Sequence, residues 1–233
     1  MAWLEPLDPA AILLDVACGA AHVAEQAAER VRQVVGVDLT DALLDLGAQR
    51  LRAAGVTNVL LQHGTAEQLP FVDGSFDVVA CRSALHHFAT PPRAVAEMAR
   101  VCRPGGHVVV VDLVPPDPAV REPFDTVHRL IDPSHVRALL GQELVELMAT
   151  SVGPVGTVET SQPLLLPLDH VMTEVADRPA VIAALHAELE GGPPTGLGPV
   201  LESGQLLVSF TSTTVAAVKP PVPRRARTPS STG

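Results

Sequence analysis

Short apolar runs alternate with longer segments of helical period along the first half of the chain. The apolar runs predict strands at 11–16, 34–39, 58–62, 76–82 and 107–113. The segments of helical period predict helices at 22–33, 41–54 and 93–102. Because the strand runs are rich in Val and Leu and alternate with helices, they predict a parallel sheet that helices cover on both faces.

The second half of the chain has a less regular pattern. Residues 121–150 and 179–192 predict helices, and 155–167 and 204–220 predict two more strands that complete the sheet. Pro104 and Gly105 suit the central positions of a type II turn ahead of the fifth strand. The whole pattern predicts one α/β domain over residues 1–219.

The charge and composition of the chain limit the classes of molecule that it is expected to bind. The chain has 16 basic and 26 acidic residues, for a net charge of -10, and Lys219 is its one lysine. Nucleic acids and anionic membranes bind clustered positive charge, so this balance favours a small-molecule partner over either of them. The segment 220–233, with three arginines among prolines and serines, predicts a disordered tail.

Targeting and metal signals are weak in this sequence. No apolar run approaches the ~20 residues that cross a bilayer, which predicts a cytoplasmic protein without a signal peptide or anchor. Three cysteines without metal or redox spacing predict reduced, mostly buried thiols and no metal site. The number of subunits stays open.

The first strand ends in an acid and a turn of small residues, LLDVACGAAHVAEQAA at 13–28. In a doubly wound sheet, ligands bind beyond the carboxyl ends of the strands, beside the first strand. Small residues let the backbone approach a ligand, and Asp38, which ends the second strand, can accept hydrogen bonds from ribose hydroxyls. These features predict an adenosine-containing ligand.

A dinucleotide is one candidate for that ligand. The dinucleotide fingerprint G-x-G-x-x-G would place glycines where this chain has Ala17, Gly19 and His22. A single match of three weakens the interpretation as a nicotinamide-dependent oxidoreductase. A serine hydrolase is disfavoured because no G-x-S-x-G elbow occurs.

Four stretches resemble the class I S-adenosylmethionine-dependent methyltransferases, in the group related to ubiquinone and menaquinone biosynthesis C-methyltransferases (methyltransferase type 11 domain). They are ILLDVACGAAHVA, VVGVDLTDALL, GTAEQLPFVDGSFDVVACRSALHHF and AVAEMARVCRPGGHVVVVDLVPP, in the family's order and spacing. A fifth, HRLIDPSHVRAL, is similar to a segment of that group. The resemblance implies a Rossmann-like, doubly wound, mostly parallel seven-stranded sheet with an antiparallel last strand.

The same resemblance implies S-adenosylmethionine as cofactor and a role for each matching position. The methionine end would face the opening turn, the ribose and adenine would meet the second strand end, and the loop before the fourth strand would border the adenine. The implied cofactor residues are Asp15, Ala17, Gly19, Ala21, Asp38, Leu39, Thr65, Ala66, Glu67 and Arg82.

Three departures from the family pattern bear on the site. Ala21 replaces the last glycine of the turn, which costs roughly 1 to 2 kcal/mol if its φ is positive. Thr65 stands where many members have Asp and is a weaker, neutral acceptor. The eleven residues before Ile12 are too few for the helices that close over the site in family members.

The acceptor side of the reaction is less defined by the sequence. Methyl transfer gains mainly from alignment, and a base helps where the acceptor must lose a proton. His86 and His87 follow the fourth strand at the ligand end and are the candidate catalytic residues, although paired histidines there also suit a polar wall. His135 and Asp112 rank below them, and Trp3, Phe71 and Phe88 are candidate aromatic contacts for a sulfonium.

Two function classes follow. The first is methyl transfer from S-adenosylmethionine to a small metabolite, for which the apolar stretch PLLLPLDHVM hints at a hydrophobic acceptor. The second is a methyltransferase-like fold that binds cofactor or metabolite without methylating, as a cyclase or a binding protein. Ala21, Thr65 and the short N-terminal segment keep the second open.

Overall fold

A nine-stranded sheet forms the centre of the molecule in the computed structural model, which describes Leu4 and residues 7–221. Its strands are β1 (Ile12–Val16), β2 (Gln33–Asp38), β3 (Val59–His63), β4 (Phe76–Arg82), β5 (Cys102–Val114), β6 (Val155–Thr160), β7 (Leu164–Pro167), β8 (Val200–Glu202) and β9 (Gln205–Val218).

Seven of the strands run in the order β3-β2-β1-β4-β5-β9-β6. The first five pair in parallel, whereas β9 is antiparallel to both β5 and β6. The short strands β7 and β8 pair with the amino-terminal part of β9. The predicted doubly wound, mostly parallel sheet with an antiparallel last strand is confirmed, with two short strands added.

Helices cover the sheet because their apolar faces match its buried Val and Leu side chains. Side chains of α1 and α2 pack on one face, and those of α3 and α5 pack on the other. A third cluster joins α4 and α6 to β9. The helices are α1 (His22–Ala28), α2 (Asp41–Ala53), α3 (Pro91–Val101), α4 (Arg121–Ile131), α5 (Gly141–Ser151) and α6 (Arg178–Leu189).

Three predicted elements are shorter or divided in the structure. Helix α1 stops at Ala28 instead of 33, where the amide of Arg30 bonds back to the carbonyl of Ala27. The helix predicted over 121–150 is two helices separated around Pro133, and the strand predicted over 155–167 is two strands separated at Pro163. Proline removes a backbone donor, which accounts for both interruptions.

Strand β5 is longer than predicted, because it begins at Cys102 instead of 107. Gly105 lies within it at φ +77°, the conformation that the second central position of a type II turn requires. The predicted tail from 220 onward lies, apart from Pro220 and Pro221, outside the described residues, as does Trp3. The boundary of the domain at 219 stays a prediction.

Candidate functional site

The turn after β1 has an unusual backbone. Ala17, Gly19 and Ala21 have φ values of +56°, +51° and +61°, so alternate residues are left-handed. A left-handed alanine is strained by roughly 1 to 2 kcal/mol, because its Cβ crowds the backbone. Such strain persists where the surrounding structure fixes it and is concentrated at functional sites.

The methyl group of Ala21 lies against helix α2. Ala21 is fully buried in the cluster that joins α1 and α2 to the sheet. A Cβ added to Gly47 of α2 would come within 3.1 Å of the Ala21 Cβ, so this methyl occupies the space that a glycine in α2 provides. The extra methyl at the last position of the turn therefore packs in the core.

Asp38 ties the turn to the second strand. Its Oδ2 accepts a hydrogen bond from the Gly19 amide at 2.8 Å, and its Oδ1 accepts one from the Thr40 amide at 2.9 Å. The Cys18 amide also donates to the carbonyl of Val37, at 3.0 Å. The turn and the carboxyl end of β2 thus form one rigid unit, and each carboxylate oxygen keeps a lone pair for a further donor.

Asp15 lies one strand away and is 1% exposed. Burial, reinforced by the negative charge of Asp38, raises the pKa of the Asp15 carboxyl to about 7, while the Ala24 amide and Arg82 act in the opposite direction. No group among the described residues donates to its Oδ2. A buried carboxylate oxygen without a donor is suited to bind an incoming cation or N–H group.

The other predicted cofactor residues lie around the same edge of the sheet. The Leu39 side chain is 66% exposed directly after β2. Thr65 and Ala66 follow β3 in a tight turn that a bridge to Gln68 closes. Arg82 ends β4 with an exposed side chain.

Glu67 has a structural task in the same loop. Its Oε1 accepts from the Thr90 amide at 2.9 Å, where α3 begins, and its carbonyl accepts from Arg93 Nε at 3.0 Å. The side chain therefore fixes the loop to α3. The roles of all ten residues toward a ligand stay predictions.

A cavity of about 550 Å³ opens beyond the carboxyl ends of β4 and β5. Its lining combines apolar side chains with histidines, and it borders the end of β4, the neighbour of β1. The lining residues are Ser83, His86, His87, Leu113, His128, Ile131, Asp132, His135, Ser161, Gln162, Leu164, Leu166, Val171, Phe210, Thr211 and Ser212. Ser83 is a third strained residue at this edge, with φ +52°.

His86, the first of the two candidate catalytic residues, is held by Asp112 at the end of β5. Its Nδ1 lies 2.6 Å from Asp112 Oδ1, and its amide donates to Asp112 Oδ2 at 2.8 Å. The Leu113 amide donates to Asp112 Oδ1 at 2.9 Å. Asp112, a lower-ranked candidate in the sequence, thus fixes both the ring and the backbone of His86.

His87, the second candidate, borders the cavity beside His86. The two ring centroids are 4.1 Å apart. His87 Nδ1 lies 3.0 Å from Ser134 Oγ, which donates to Asp132 Oδ1. Desolvation and the neighbouring His86 lower the pKa of His87.

Two more histidines, His128 and His135, line the same cavity. His135 Nε2 lies 2.7 Å from Asp125 Oδ1, and His128 Nδ1 lies 2.9 Å from the carbonyl of Phe124. Their ring centroids are 5.1 Å apart. Burial lowers the pKa of both rings, that of His128 to about 4.

His128 and Asp125 are not among the residues predicted from the sequence. A signal for them exists, because both lie on the apolar face of α4 among Phe124, Val127 and Ile131. Polar side chains within an apolar helical stripe are buried, and buried polar groups require partners.

The described residues contain no group of His, Cys, Asp or Glu side chains that could hold a metal ion. Over the same part of the chain, every helix is too short or too polar to cross a membrane.

The chain is similar to known proteins in sequence and in fold. A family model described as "Methyltransferase domain" matches residues 14–110. The uncharacterized methyltransferase YcgJ of Bacillus subtilis (strain 168) is 43% identical over 126 residues, which are 54% of this chain and 50% of the relative. This chain therefore spans about half the length of that relative.

A relative from Clavibacter sepedonicus aligns over a larger share of the chain. It is a demethylmenaquinone methyltransferase, 31% identical over 176 residues, which are 75% of this chain and 71% of the relative. The crystal structure of the YcgJ protein from Bacillus subtilis superimposes with a TM-score of 0.78 at 28% identity, over 93% of this chain and 95% of that one.

Proposed function

The chain belongs to the methyltransferase family, and from this premise we propose that it transfers a methyl group from S-adenosylmethionine to a small, apolar acceptor. The observation that carries the proposal is the unpaired Oδ2 of buried Asp15 beside the left-handed turn. It supplies an unpaired carboxyl oxygen at the edge of the sheet where doubly wound folds bind their ligands.

The residues present suit S-adenosylmethionine. Asp15 would bind the ammonium of the methionine end, since one oxygen of that carboxylate has no donor among the described residues. Asp38, whose oxygens each keep a lone pair, would accept from the ribose hydroxyls, and exposed Leu39 would pack on the adenine. Thr65, Ala66 and Glu67 would border the adenine, and Arg82 would lie beside the cofactor.

When bound, S-adenosylmethionine supplies a methyl group on a positively charged sulfur. The chain's contribution is alignment and the exclusion of water, which can supply most of the acceleration of such a displacement. The apolar wall of the cavity, with Leu113, Leu166 and Phe210, would exclude water around the acceptor. His86, held by Asp112, would take a proton at its Nε2 from an acceptor that must lose one.

Calorimetric titration with S-adenosylhomocysteine tests the proposal. We expect the chain to bind this ligand and the variant Asp38→Ala to bind it at least ~100-fold more weakly, because two fixed amides and the ribose contacts lose their acceptor. The matched control is Asp45→Asn, an exposed acid in the second turn of α2, which should bind as the parent does.

Two outcomes would overturn the proposal. One is the absence of heat with S-adenosylhomocysteine together with binding of NAD, which would indicate a nicotinamide-dependent protein. The other is tight binding of S-adenosylhomocysteine that Asp38→Ala leaves unchanged, which would place the ligand away from the turn.

A further inference from the structure

The four histidines of the cavity wall have one property in common, which is the direction of their hydrogen bonds. One nitrogen of each ring is hydrogen-bonded to a protein group that acts only as an acceptor in that bond. A neutral imidazole has one N–H and one bare nitrogen, so a ring that donates through one nitrogen presents an acceptor at the other. The partners of the rings therefore assign the tautomers.

His86 and His87 show this at the open side of the cavity. Asp112 receives two backbone amides besides the His86 ring, so it is the acceptor and His86 Nδ1 carries the proton. Ser134 has a single hydroxyl proton and gives it to Asp132, so Ser134 Oγ accepts from His87 Nδ1. Both rings are left with a bare Nε2.

His128 and His135 repeat the arrangement inside the wall. A carbonyl oxygen accepts from His128 Nδ1, and Asp125, which also receives the Ala138 amide, accepts from His135 Nε2. The bare atoms are His128 Nε2 and His135 Nδ1. Both are buried, and no group among the described residues donates to either. Lowered pKa values keep these two rings neutral at pH 7.

The formal charges of the residues that line the cavity disfavour an anionic ligand. Among the described residues that line the cavity, none is Lys or Arg, and Asp132 is the one acid. Desolvation opposes ionisation of Asp132, but Ser134, which donates to its carboxylate through both hydroxyl and amide, contributes to a net lowering of its pKa, so Asp132 is ionised near neutral pH. An anionic ligand would find an acid and bare imidazole nitrogens, with no cation to neutralise it.

We propose that the cavity selects uncharged apolar molecules that carry a hydroxyl group, and that the bare Nε2 of His86 or of His128 accepts the single proton of this hydroxyl. The inference rests on the proposed function, since it takes the cavity to be the site of the methyl acceptor. It assigns the methyl acceptor to a chemical class, apolar molecules with a hydroxyl group, and excludes carboxylates and phosphate esters as ligands of the cavity.

Three naphthalene probes of similar size separate the possibilities. They are 2-naphthol, which has a donor, 2-methoxynaphthalene, in which the donor is masked, and 2-naphthoate, which is anionic. We expect calorimetry at pH 7 to give affinities for 2-naphthol about tenfold or more above those for each of the other two. Equal affinity for 2-naphthol and 2-methoxynaphthalene, or tighter binding of 2-naphthoate, would overturn the proposal.

Variants identify the residues that recognise the hydroxyl. His128→Phe retains an aromatic ring against Phe124 and Phe210 while it removes a buried acceptor, and His86→Phe leaves Asp112 its two amides. In the double variant we expect 2-naphthol and 2-methoxynaphthalene to bind within about twofold of each other. His107→Phe, at an exposed position in the amino-terminal half of β5, should keep the preference of the parent.

Spectra of histidine labelled with nitrogen-15 provide a measurement on the unaltered chain. We expect the proton on Nδ1 of His86 and His128 and on Nε2 of His135, with the opposite nitrogens bare. Addition of 2-naphthol should shift the signal of Nε2 of His86 or of His128. A proton on His86 Nε2 or His128 Nε2 would overturn the assignment of acceptors, whatever the variants do.

The two proposals fail in different ways. If S-adenosylhomocysteine binds but 2-naphthol has no advantage, the selection of hydroxyls is wrong and methyl transfer stands. If 2-naphthol is preferred but S-adenosylhomocysteine does not bind, the cavity is characterised correctly and the methyltransferase assignment of function is wrong.

Discussion

The turn after β1 and the cavity beyond β4 and β5 are built in different ways. In the turn, the backbone makes the site, through left-handed residues and amides held by Asp38. In the cavity, side chains make the site, and its histidines come from the segment that follows β4, from α4 and from the segment that follows α4. The turn is contiguous in sequence, whereas the cavity wall is assembled from segments far apart.

This difference indicates that the turn tolerates few substitutions, whereas the cavity can change its ligand by substitution. A site made by the backbone admits few residue types, because most side chains cannot adopt its conformation. A site made by side chains can change its ligand through single substitutions while the sheet stays the same.

The largest effect concerns Asp15 and pH. Its folded pKa of about 7 lies above the unfolded value of 3.8, so the stabilising contribution of the protonated form is complete below about pH 4 and is lost as pH rises through 7. The variant Asp15→Asn should lose this dependence and gain up to about 4 kcal/mol over the parent near pH 8. Urea unfolding of both chains from pH 4 to 8 measures it. Parallel pH profiles of the two chains would show that Asp15 is ionised without cost in the folded state.

The second effect lies in the cavity. Asp112→Asn exchanges an acceptor of three hydrogen bonds for a group that must also donate, so we expect a loss of roughly 1.5 to 3 kcal/mol and a weakened preference for 2-naphthol. Affinity for S-adenosylhomocysteine should stay within twofold or so, because the turn is a separate unit. Asp117→Asn, whose exposed carboxylate accepts a single amide, is the matched control. A change in both affinities would mean that the two halves are coupled.

A third effect tests how the turn accommodates Ala21. Gly47→Ala places a methyl 3.1 Å from the Ala21 Cβ, so the two substitutions Gly47→Ala and Ala21→Gly should be coupled by about 1 kcal/mol. We expect Gly47→Ala to stabilise more, or destabilise less, in the Ala21→Gly background. A double-mutant cycle by urea unfolding measures the coupling, and simple additivity would mean that the methyl of Ala21 lies elsewhere.

The smallest effect is at Ala17. Its φ of +56° suits glycine, and its side chain is partly exposed, so Ala17→Gly should change stability by at most about 1 kcal/mol, toward greater stability. Thermal unfolding detects such a shift. Ala53→Gly at the end of α2, where the helix favours alanine, is the control and should destabilise. Destabilisation by Ala17→Gly as well would mean that the turn carries no strain at that residue.

The sequence predicted the turn half better than the cavity half for physical reasons. Asp15, Gly19 and Asp38 belong to short patterns at the ends of two strands, and because β1 and β2 are paired, these residues lie close together. The breaks near Pro133 and Pro163 were missed because helical and extended periods continue across them, although both prolines were visible. His128 and Asp125 were missed because a side chain in an apolar stripe reveals its partner only after α4 has packed.

Strand β9 pairs with β5, β6, β7 and β8 and is the last element of the described chain. Phe210, Thr211 and Ser212, which line the cavity, lie in β9. This side of the cavity therefore cannot form until nearly all of the described chain has left the ribosome. During synthesis, β1 to β4 and their helices can associate early, whereas the cavity forms only after contacts between residues far apart in the chain. A stalled or truncated product would thus expose the apolar edge of β5, which makes it prone to aggregate and to be removed by proteases.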